Sequence, residues 1–237
     1  MKPYYTDPLI SIFNMDSREY LSQIEPDVRF DLVLSDPPYG TEGLLSNGYG
    51  RAQNCGTGRY ILGDKDLTTC EDVIKLIMPR IDNGYLVTFC SARKMMEVSE
   101  FFTGGEIIGE LIWDKGTPGL GYIVRYTHES ALLCRKGSPK RPETALLSLV
   151  RQQVGHQNAH LRHPHEKPLT FWYNALNLPG ELVIDPFAGS CNVGRACKDL
   201  GRKCICVELD EQWCEQGAKK MQQETLPTIN HTQTEFA

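Results

Sequence analysis

The sequence predicts an α/β fold in which helices flank a mostly parallel sheet, and two observations carry this prediction. Short apolar runs typical of buried strands recur along the 237 residues, and stretches with helical periodicity separate them. Several runs also end in an acid, as in "LISIFNMD" (9–16) and "FDLVLSD" (30–36). Because parallel sheets bind ligands at the carboxyl ends of their strands, we expect a site at that edge.

The first part of the chain supplies five of the predicted strands. After the runs at 9–16 and 30–36, a helical pattern covers about 70–81 and "GYLVTFC" (84–90) is the third strand. Asn83-Gly84 marks the end of the helix, because asparagine and glycine readily adopt the backbone conformation found there. Residues 106–115 and 129–136 are predicted to form two further strands.

The second part of the chain continues the alternation of helices and strands. A helix at 169–178 ends before Pro179-Gly180, strands at 181–187 and 203–209 enclose a helix near 192–200, and a final amphipathic helix covers about 210–222. The remaining residues, 223–237, are polar and are expected to be loosely ordered. The prediction is one domain over 1–222 followed by a tail.

Composition limits the class of protein. Hydrophobic residues make up 41% and charged residues 23%, which is ordinary for a globular domain. We expect no membrane span, because no apolar run approaches the roughly 18 residues that a span needs. We expect no export signal, because the N-terminus "MKPYYTDPLI" carries an acid and prolines where a signal peptide has an apolar stretch. The nine cysteines are odd in number and contain no C-x-x-C pair, so we expect reduced, structural thiols in a cytoplasm rather than zinc ligands or disulfides.

Charge is distributed unevenly along the chain. The net charge is −5, but residues 135–167 alone carry +5 and four of the six histidines, which leaves −10 for the rest. This pattern is typical of a protein that meets a polyanion at one place. A solvated loop that is basic by chance is the alternative.

Four acids stand at the predicted carboxyl ends of strands: Asp16, Asp36, Asp185 and Glu208. One such acid is usually a helix cap. Four on one edge indicate a binding site.

The stretch "VIDPFAGSCNVG" (183–194) predicts a strand, a glycine-bearing turn and a helix. Gly189 and Gly194 allow the backbone to pass close to a ligand, and Glu208, which ends the next strand, can hold the hydroxyls of a ribose. The dinucleotide fingerprint G-x-G-x-x-G is absent. A loop that begins with Asp185 and has no basic residue before Arg195 suits a positively charged ligand better than a pyrophosphate. A turn with packing glycines is the alternative.

Together with "DPPYG" (36–40), this loop makes the chain resemble the amino-group DNA methyltransferases that use S-adenosylmethionine. That family carries [D/N/S]-P-P-[Y/F/W] at one strand end and a D-P-F-x-G-S-G-T-type loop at another. The segments "LIWDKG" (111–116), "HESALLCRKG" (128–137), "HPHEKP" (163–168) and 200–220 also resemble family segments in the family's order. Two departures are that Cys191-Asn192 replace Gly-Thr, and that 137–163 leaves room for only a short target-recognition segment.

The resemblance implies a Rossmann-like fold of the class I methyltransferase type. Because "DPPYG" precedes the glycine-bearing loop, it also implies the circularly permuted order of the β-group. The carboxylate of Asp36 and the carbonyl of Pro37 would accept hydrogen bonds from the target amino group, Pro37 and Pro38 would fix the backbone, and Tyr39 would stack on a flipped base.

The resemblance also implies a set of cofactor-binding residues and no metal. Asp185, Phe187 and Gly189 would line the methionine end of S-adenosylmethionine, Glu208 would bind the ribose, and Asp16 would meet the adenine amino group. Lys167 and Pro168 would close the methionine side. The alternatives are a helix cap for Asp16 and a phosphate contact for Lys167. The full predicted set is Asp16, Lys167, Pro168, Asp185, Pro186, Phe187, Gly189, Ser190, Asn192 and Glu208.

DNA is the expected partner, and the basic stretch 135–167 is its expected contact. Lys140, Arg141, Arg151 and Arg162 are candidates either for reading bases or for binding phosphates. So short a segment predicts a short or relaxed recognition sequence. A homodimer is possible, since members of the family often pair.

Asp-Pro-Pro-Tyr favours N6-adenine as the target, with N4-cytosine as the alternative. A cytosine-C5 methyltransferase would need a cysteine that follows a proline, and this chain has none. A glutamine or RNA methyltransferase would show Asn-Pro-Pro-Tyr after the cofactor loop. A catalytically inactive DNA-binding relative is the remaining alternative.

Overall fold

The computed structural model describes residues 1–40, 66–118, 123–153 and 166–223. The strands are β1 (Tyr5–Thr6), β2 (Ile10–Asn14), β3 (Leu32–Ser35), β4 (Gly84–Cys90), β5 (Glu106–Asp114), β6 (His128–Lys136), β7 (Leu149–Arg151), β8 (Leu182–Asp185) and β9 (Lys203–Glu208). The helices are α1 (Ser17–Gln23), α2 (Thr68–Ile77, followed by a 3-10 turn at Met78–Arg80), α3 (Met95–Ser99), α4 (Leu169–Ala175), α5 (Asn192–Asp199) and α6 (Glu211–Gln222).

The strands form one sheet in the order β1-β2-β9-β8-β3-β4-β6-β5-β7. The five neighbours β2, β9, β8, β3 and β4 are parallel, and β7 is parallel to β5. β1 is antiparallel to β2, and β6 is antiparallel to both of its neighbours. The predicted α/β architecture and its mostly parallel sheet are therefore confirmed. We call the edge where β2, β9, β8 and β3 end the carboxyl edge.

Helices cover both faces of the sheet, which explains the continuous apolar runs of the central strands. All four residues of β3 and all seven of β4 are buried. One face packs on α4, α5 and α6 through residues such as Phe171, Val193 and Met221. The other packs on α1, α2 and α3 through residues such as Leu21 and Ile74. Each such side chain contributes about 1.5–3 kcal/mol to folding when it is fully buried.

Four short elements were not predicted: β1, α1, α3 and β7. Their length explains the omission, since two to seven residues contain too little of the repeat that identifies a strand or helix. β7 is also at the edge of the sheet and mostly exposed, so it lacks an apolar run.

The eight cysteines in the described part of the chain are buried thiols, as predicted for small apolar core residues. Within the same part, no helix has the length and apolar character that crossing a membrane requires. The predicted tail lies outside the described residues, apart from Gln223.

Candidate active site

The four predicted acids lie at the carboxyl edge. Asp185 and Glu208 end β8 and β9, Asp36 follows β3, and Asp16 comes two residues after β2. Because these four strands are parallel neighbours, their ends meet at one side of the sheet. The prediction that the acids share one edge is therefore confirmed.

The "DPPYG" turn brings an aromatic ring back onto the acid that begins it. The hydroxyl of Tyr39 donates to Asp36 Oδ1 at 2.7 Å. Pro37 is buried, and Gly40 has φ +66, a conformation that favours glycine. A Cβ at Gly40 would lie 2.9 Å from a backbone carbon of Asp66, so the turn has no room for a side chain there.

A buried ammonium group occupies the other oxygen of Asp36. Lys167 Nζ donates to Asp36 Oδ2 at 2.6 Å and lies 3.2 Å from Glu129 Oε2. Only 1% of the Lys167 side chain is exposed. Glu129 also lies 3.4 Å from the Tyr39 hydroxyl and 3.3 Å from Lys115 Nζ. We call Asp36, Tyr39, Lys115, Glu129 and Lys167 the Asp36 cluster.

The charges of this cluster stabilise one another in spite of their burial. Burial by itself would raise the pKa of Glu129, but the ammonium groups of Lys167 and Lys115 lower it to about 2. Burial would lower the pKa of Lys167, but Asp36 and Glu129 raise it above its usual value. Burial raises the pKa of Tyr39 far above its ordinary range. At neutral pH, Glu129 is therefore ionised, Lys167 is charged and Tyr39 keeps its proton.

The carboxyl group of Asp185 is buried at the start of the glycine-bearing loop, where Asp185 Oδ1 accepts a hydrogen bond from the amide of Phe187 at 3.1 Å. Burial raises its pKa well above the ordinary value. A cationic ligand beside it would favour the ionised form. The predicted contact of Asp185 with a positive ligand stays a prediction.

Glu208 holds the glycine-bearing loop through hydrogen bonds to the backbone. Its Oε2 accepts from the amide of Gly189 at 2.7 Å, and its Oε1 accepts from the amide of Asp210 at 2.8 Å. Burial raises its pKa. Because each carboxylate oxygen can accept more than one hydrogen bond, Glu208 can also accept from ligand hydroxyls.

A second polar network joins residues 166–168 to the same loop. Ser190 Oγ donates to Glu166 Oε1 at 2.6 Å, and Asn192 Nδ2 donates to the carbonyl of Lys167 at 2.8 Å. Lys220 Nζ lies 3.2 Å from Glu166 Oε1 and 2.5 Å from Asn192 Oδ1. The two segments predicted to bind one cofactor are therefore in contact.

The two prolines of the predicted cofactor set have structural contacts. Pro168 is the N-cap residue of α4 and is buried. The carbonyl of Pro186 accepts a hydrogen bond from the hydroxyl of Ser17, which ties the start of α1 to the loop. Phe187, next to Pro186, is partly buried and packs on the core.

Asp16 serves as a helix cap. Its side chain accepts from the amide of Arg18 and from two guanidinium nitrogens of the same residue. The hydrogen bonds from the Arg18 side chain are the main reason that the pKa of Asp16 is lowered. The structure therefore shows the N-cap role that the sequence analysis gave as the alternative for Asp16. A contact of Asp16 with the cofactor stays a prediction.

The basic candidates for DNA binding lie in different places. Because β6 is antiparallel to β4, it delivers the chain after residue 136 to the edge opposite the site. There the carbonyl of Lys140 accepts from the hydroxyl of Tyr85, near the start of β4, and Lys140 and Arg141 are exposed. Arg151 lies at the carboxyl edge, where its Nε donates to Asp114 at 2.7 Å. Arg162 lies outside the described residues.

Analysis of the sequence missed Glu129, Lys115, Glu166 and Lys220. The predicted acids lie at the carboxyl ends of strands, whereas Glu129 stands near the beginning of β6. Since β6 is antiparallel to its neighbours, its beginning lies at the carboxyl edge. Among the described residues, no group of three or more His, Cys, Asp or Glu side chains is arranged to hold a metal ion.

Comparisons with known proteins agree with this geometry. The chain is 24% identical over 255 residues to the type II methyltransferase M2.DpnII of Streptococcus pneumoniae. This alignment covers 94% of this chain and 93% of the relative. The crystal structure of the M1.HpyAVI–SAM complex has a TM-score of 0.67 at 21% identity, and covers 90% of this chain and 100% of that one. The cytosine-N4-specific PvuII DNA methyltransferase has a TM-score of 0.72 at 17% identity, and its match covers 95% of this chain and 90% of that one.

The two structural likenesses show that the fold is that of the class I S-adenosylmethionine-dependent methyltransferases. The family N6_N4_Mtase, described as DNA methylase, matches residues 30–219. This match includes the Asp36 turn, Glu129, Lys167 and the whole Asp185 loop. The protein therefore belongs to the N6_N4_Mtase family of DNA methylases.

Proposed function

We propose that the protein transfers a methyl group from S-adenosylmethionine to the N6 amino group of an adenine in DNA. One observation carries the proposal. The Asp36 turn and the Asp185 loop follow β3 and β8, which are directly paired parallel neighbours. A direct displacement needs the target nitrogen and the methyl donor side by side, and proximity supplies much of the rate.

S-adenosylmethionine is the methyl donor. When bound, it supplies an electrophilic methyl group, whose bond to sulfur breaks, with the electron pair staying on sulfur, as the bond to the target nitrogen forms. The buried carboxyl of Asp185 suits the positive charges of the methionine end, and Glu208 has acceptor capacity for the ribose hydroxyls. Phe187, Gly189, Ser190 and Asn192 would complete the site.

Asp36 acts on the target amino group. Its carboxylate accepts one N–H and the carbonyl of Pro37 accepts the other, which directs the nitrogen lone pair outward. After the new bond forms, the nitrogen has one proton too many and passes it to the Asp36 carboxylate, which releases it to solvent. Tyr39 stacks on the flipped base and offsets part of the few kcal/mol that unstacking costs.

Adenine is proposed as the target because the motif reads Asp-Pro-Pro-Tyr. N4-cytosine is the second candidate, supported by the similarity in fold to an enzyme named as cytosine-N4-specific. Both targets present an exocyclic amino group to the same acceptors.

Several finer assignments belong to this proposal. The order of the two motifs in the chain supports the circularly permuted β-group. The type II methyltransferases among the relatives support a role beside a restriction enzyme. The buried free thiols suit a reducing, cytoplasmic location. DNA contacts by the basic residues, a recognition segment at 137–163 and a homodimer stay predictions.

The test is to incubate the protein with varied DNA and S-adenosylmethionine labelled in the methyl group, then digest the DNA to nucleosides. We expect label in N6-methyl-2′-deoxyadenosine. Label in N4-methyl-2′-deoxycytidine would select the second candidate. A protein that binds the cofactor but labels no DNA would be an inactive relative.

A further inference from the structure

We propose that Lys167 and Glu129 are positioning residues that hold the Asp36 carboxylate for methyl transfer, with Asp36 Oδ2 bound by Lys167 and Oδ1 presented to the target base. This inference rests on the proposed function, since it concerns the carboxylate that accepts the target amino group. The proposal also gives the Lys167 side chain a different role from the one that the family resemblance implied, which was to close the methionine side of the cofactor.

The contacts divide the two oxygens of Asp36 between different partners. Oδ2 faces the buried ammonium of Lys167 at 2.6 Å, and Oδ1 faces the hydroxyl of Tyr39 at 2.7 Å. The lysine is held in place, because its ammonium also lies 4.8 Å from the ring centre of Phe89 and 5.4 Å from that of Tyr39. Oδ1, whose partner is a neutral hydroxyl rather than a buried ammonium, is therefore the oxygen that can exchange its partner for an N–H of the base.

Glu129 fixes the ammonium from the other side. It lies 3.2 Å from Lys167 Nζ on an adjacent part of the carboxyl edge, and Lys115 contacts its second oxygen at 3.3 Å. A lysine that paired with Asp36 alone could move together with that carboxylate. Lys167 pairs with two carboxylates, one after β3 and one on β6, and these two contacts fix the position of its ammonium group.

The ammonium also separates two negative charges. Asp36 and Glu129 both contact Lys167 Nζ and the Tyr39 hydroxyl, so their carboxyl groups are close to each other. Two carboxylates that share a buried site do not both ionise readily, and one of them takes up a proton. A proton held between the two carboxyl groups would occupy the acceptor that the target nitrogen needs when it loses its own proton. The ammonium of Lys167, which contacts both carboxyl groups, offsets the repulsion that would favour such a proton.

The backbone of Lys167 has a different task from its side chain. Its carbonyl accepts from Asn192 at the start of α5 and so contributes to the cofactor side of the site. Substitution of the side chain leaves this backbone contact available. Effects on the target side and on the cofactor side can therefore be measured separately.

The charged and titratable groups of the described part that face the cluster must be considered in any pH measurement: Asp36, Tyr39, Cys90, Lys115, Glu129 and Asp185.

The experiment compares Lys167→Met with the double variant Lys167→Met/Glu129→Gln. We measure the single-turnover rate of methyl transfer against pH, and the affinity for S-adenosylmethionine by calorimetry. In Lys167→Met we expect a rate at least about tenfold lower at neutral pH that rises with pH, because a proton held between the two carboxyls must leave. The double variant, which has one carboxylate at the cluster, should be faster than the single variant at neutral pH and less dependent on pH.

An infrared measurement tests the same idea without any turnover. Compared with the wild type at neutral pH, Lys167→Met should show an additional carbonyl stretch of a protonated carboxyl group, beyond any band from the buried carboxyl of Asp185. The double variant should lack this additional band. If the wild type labels no DNA, the proposed function fails, and the infrared result still decides whether Lys167 keeps the carboxylates ionised.

Lys198→Met is the matched control, because Lys198 makes a partly buried ion pair with Asp7 away from the cluster. It should lower thermal stability and leave the transfer rate unchanged. If Lys167→Met does not fold, Glu129→Gln alone serves as the test, with kcat reduced about three- to tenfold and cofactor affinity unchanged. The inference is wrong if Lys167→Met mainly weakens cofactor binding with an unaltered pH profile, if the double variant is no faster than the single one, or if Glu129→Gln keeps full kcat.

Discussion

The contacts divide the side chains at the carboxyl edge into two groups, and in the proposed function one group serves the target base and the other the cofactor. Asp36, Tyr39, Glu129 and Lys167 contact one another beside β3. Gly189 and Ser190, in the loop after β8, donate hydrogen bonds to Glu208 and Glu166. Substitutions in the two groups should therefore change different kinetic quantities.

Asp36→Ala should abolish methyl transfer while cofactor affinity falls much less. In the proposed mechanism the carboxylate acts on the target nitrogen, and loss of a proton acceptor of this kind lowers turnover by about 10²–10⁴-fold. Turnover and cofactor affinity are measured separately. Asp82→Ala, which removes an exposed acid, is the control and should behave as wild type. Near-normal turnover in Asp36→Ala on its best DNA would show that the assigned role is wrong.

Asp185→Ala and Glu208→Ala should each weaken S-adenosylmethionine binding by about 1.5–3 kcal/mol, since each removes a charged hydrogen-bond acceptor. Calorimetry measures the change, with Glu181→Ala, at an exposed acid before β8, as the control. Unchanged affinity in both variants would contradict the location of the cofactor site.

The pH dependence of binding has a defined sign. Burial raises the pKa of Asp185 in the free protein, and a cationic ligand favours its ionised form. Binding should therefore release a proton and tighten as the pH rises toward that raised pKa. Calorimetry in buffers of different ionisation enthalpy detects the released proton, and Asp185→Ala should reduce it.

At the level of elements, α6 packs tightly against the loop that leads into α5. Cys191, the N-cap residue of α5, has φ 59, which explains why the family has glycine at this position. Its thiol is fully buried under α6. A Cβ at Gly217 of α6 would lie 2.5 Å from Cys191 Sγ. The glycine in the middle of α6 is therefore required by the cysteine in the loop.

Gly217→Ala should destabilise the protein, although alanine in a helix is usually better than glycine by about 1 kcal/mol. The clash with Cys191 outweighs this gain. In a Cys191→Gly background the two closest contacts disappear, and Gly217→Ala should become neutral or stabilising. A double-mutant cycle of thermal or urea unfolding measures this coupling. If the effect of Gly217→Ala were the same in both backgrounds, the packing explanation would fail.

At the scale of the whole molecule, an acidic protein must meet a polyanion. The net charge outside residues 135–167 is −10, so DNA has to approach a locally basic surface. The sheet distributes the predicted basic residues over two opposite edges. Arg151 is at the carboxyl edge, whereas Lys140 and Arg141 are at the edge where β4 begins.

Arg151→Ala should therefore weaken DNA binding. It should also reduce the slope of log DNA affinity against log salt concentration, which we call the salt slope, by about the amount that one phosphate contact contributes. The exposed pair of Arg151 with Asp114 contributes little to stability, so Arg151 can exchange Asp114 for a phosphate. Lys140→Ala/Arg141→Ala is the matched comparison and should change affinity and salt slope less. DNA affinity is measured against salt for both variants. A larger effect of the Lys140/Arg141 pair would mean that DNA extends across the opposite edge.

The sequence by itself determined the main strands and helices and the edge at which the acids lie. β4 was predicted with the bounds 84–90 that it has, because a strand buried on both faces is a continuous apolar run. Asp36, Asp185 and Glu208 could be placed together, because the ends of parallel strands meet whatever their distance along the chain. The two motifs, read together, also indicated a DNA methyltransferase.

Tertiary structure alone decided which side chains pair at that edge. Lys167 contacts an acid 131 residues earlier, and no local pattern encodes a contact of that range. Glu129 lies at the site, whereas Lys140 and Arg141 lie at the opposite edge of the sheet, because β6 is antiparallel to the strands beside it. Periodicity in a sequence reports which face of a strand is buried, but it carries no information on the direction in which that strand crosses the sheet.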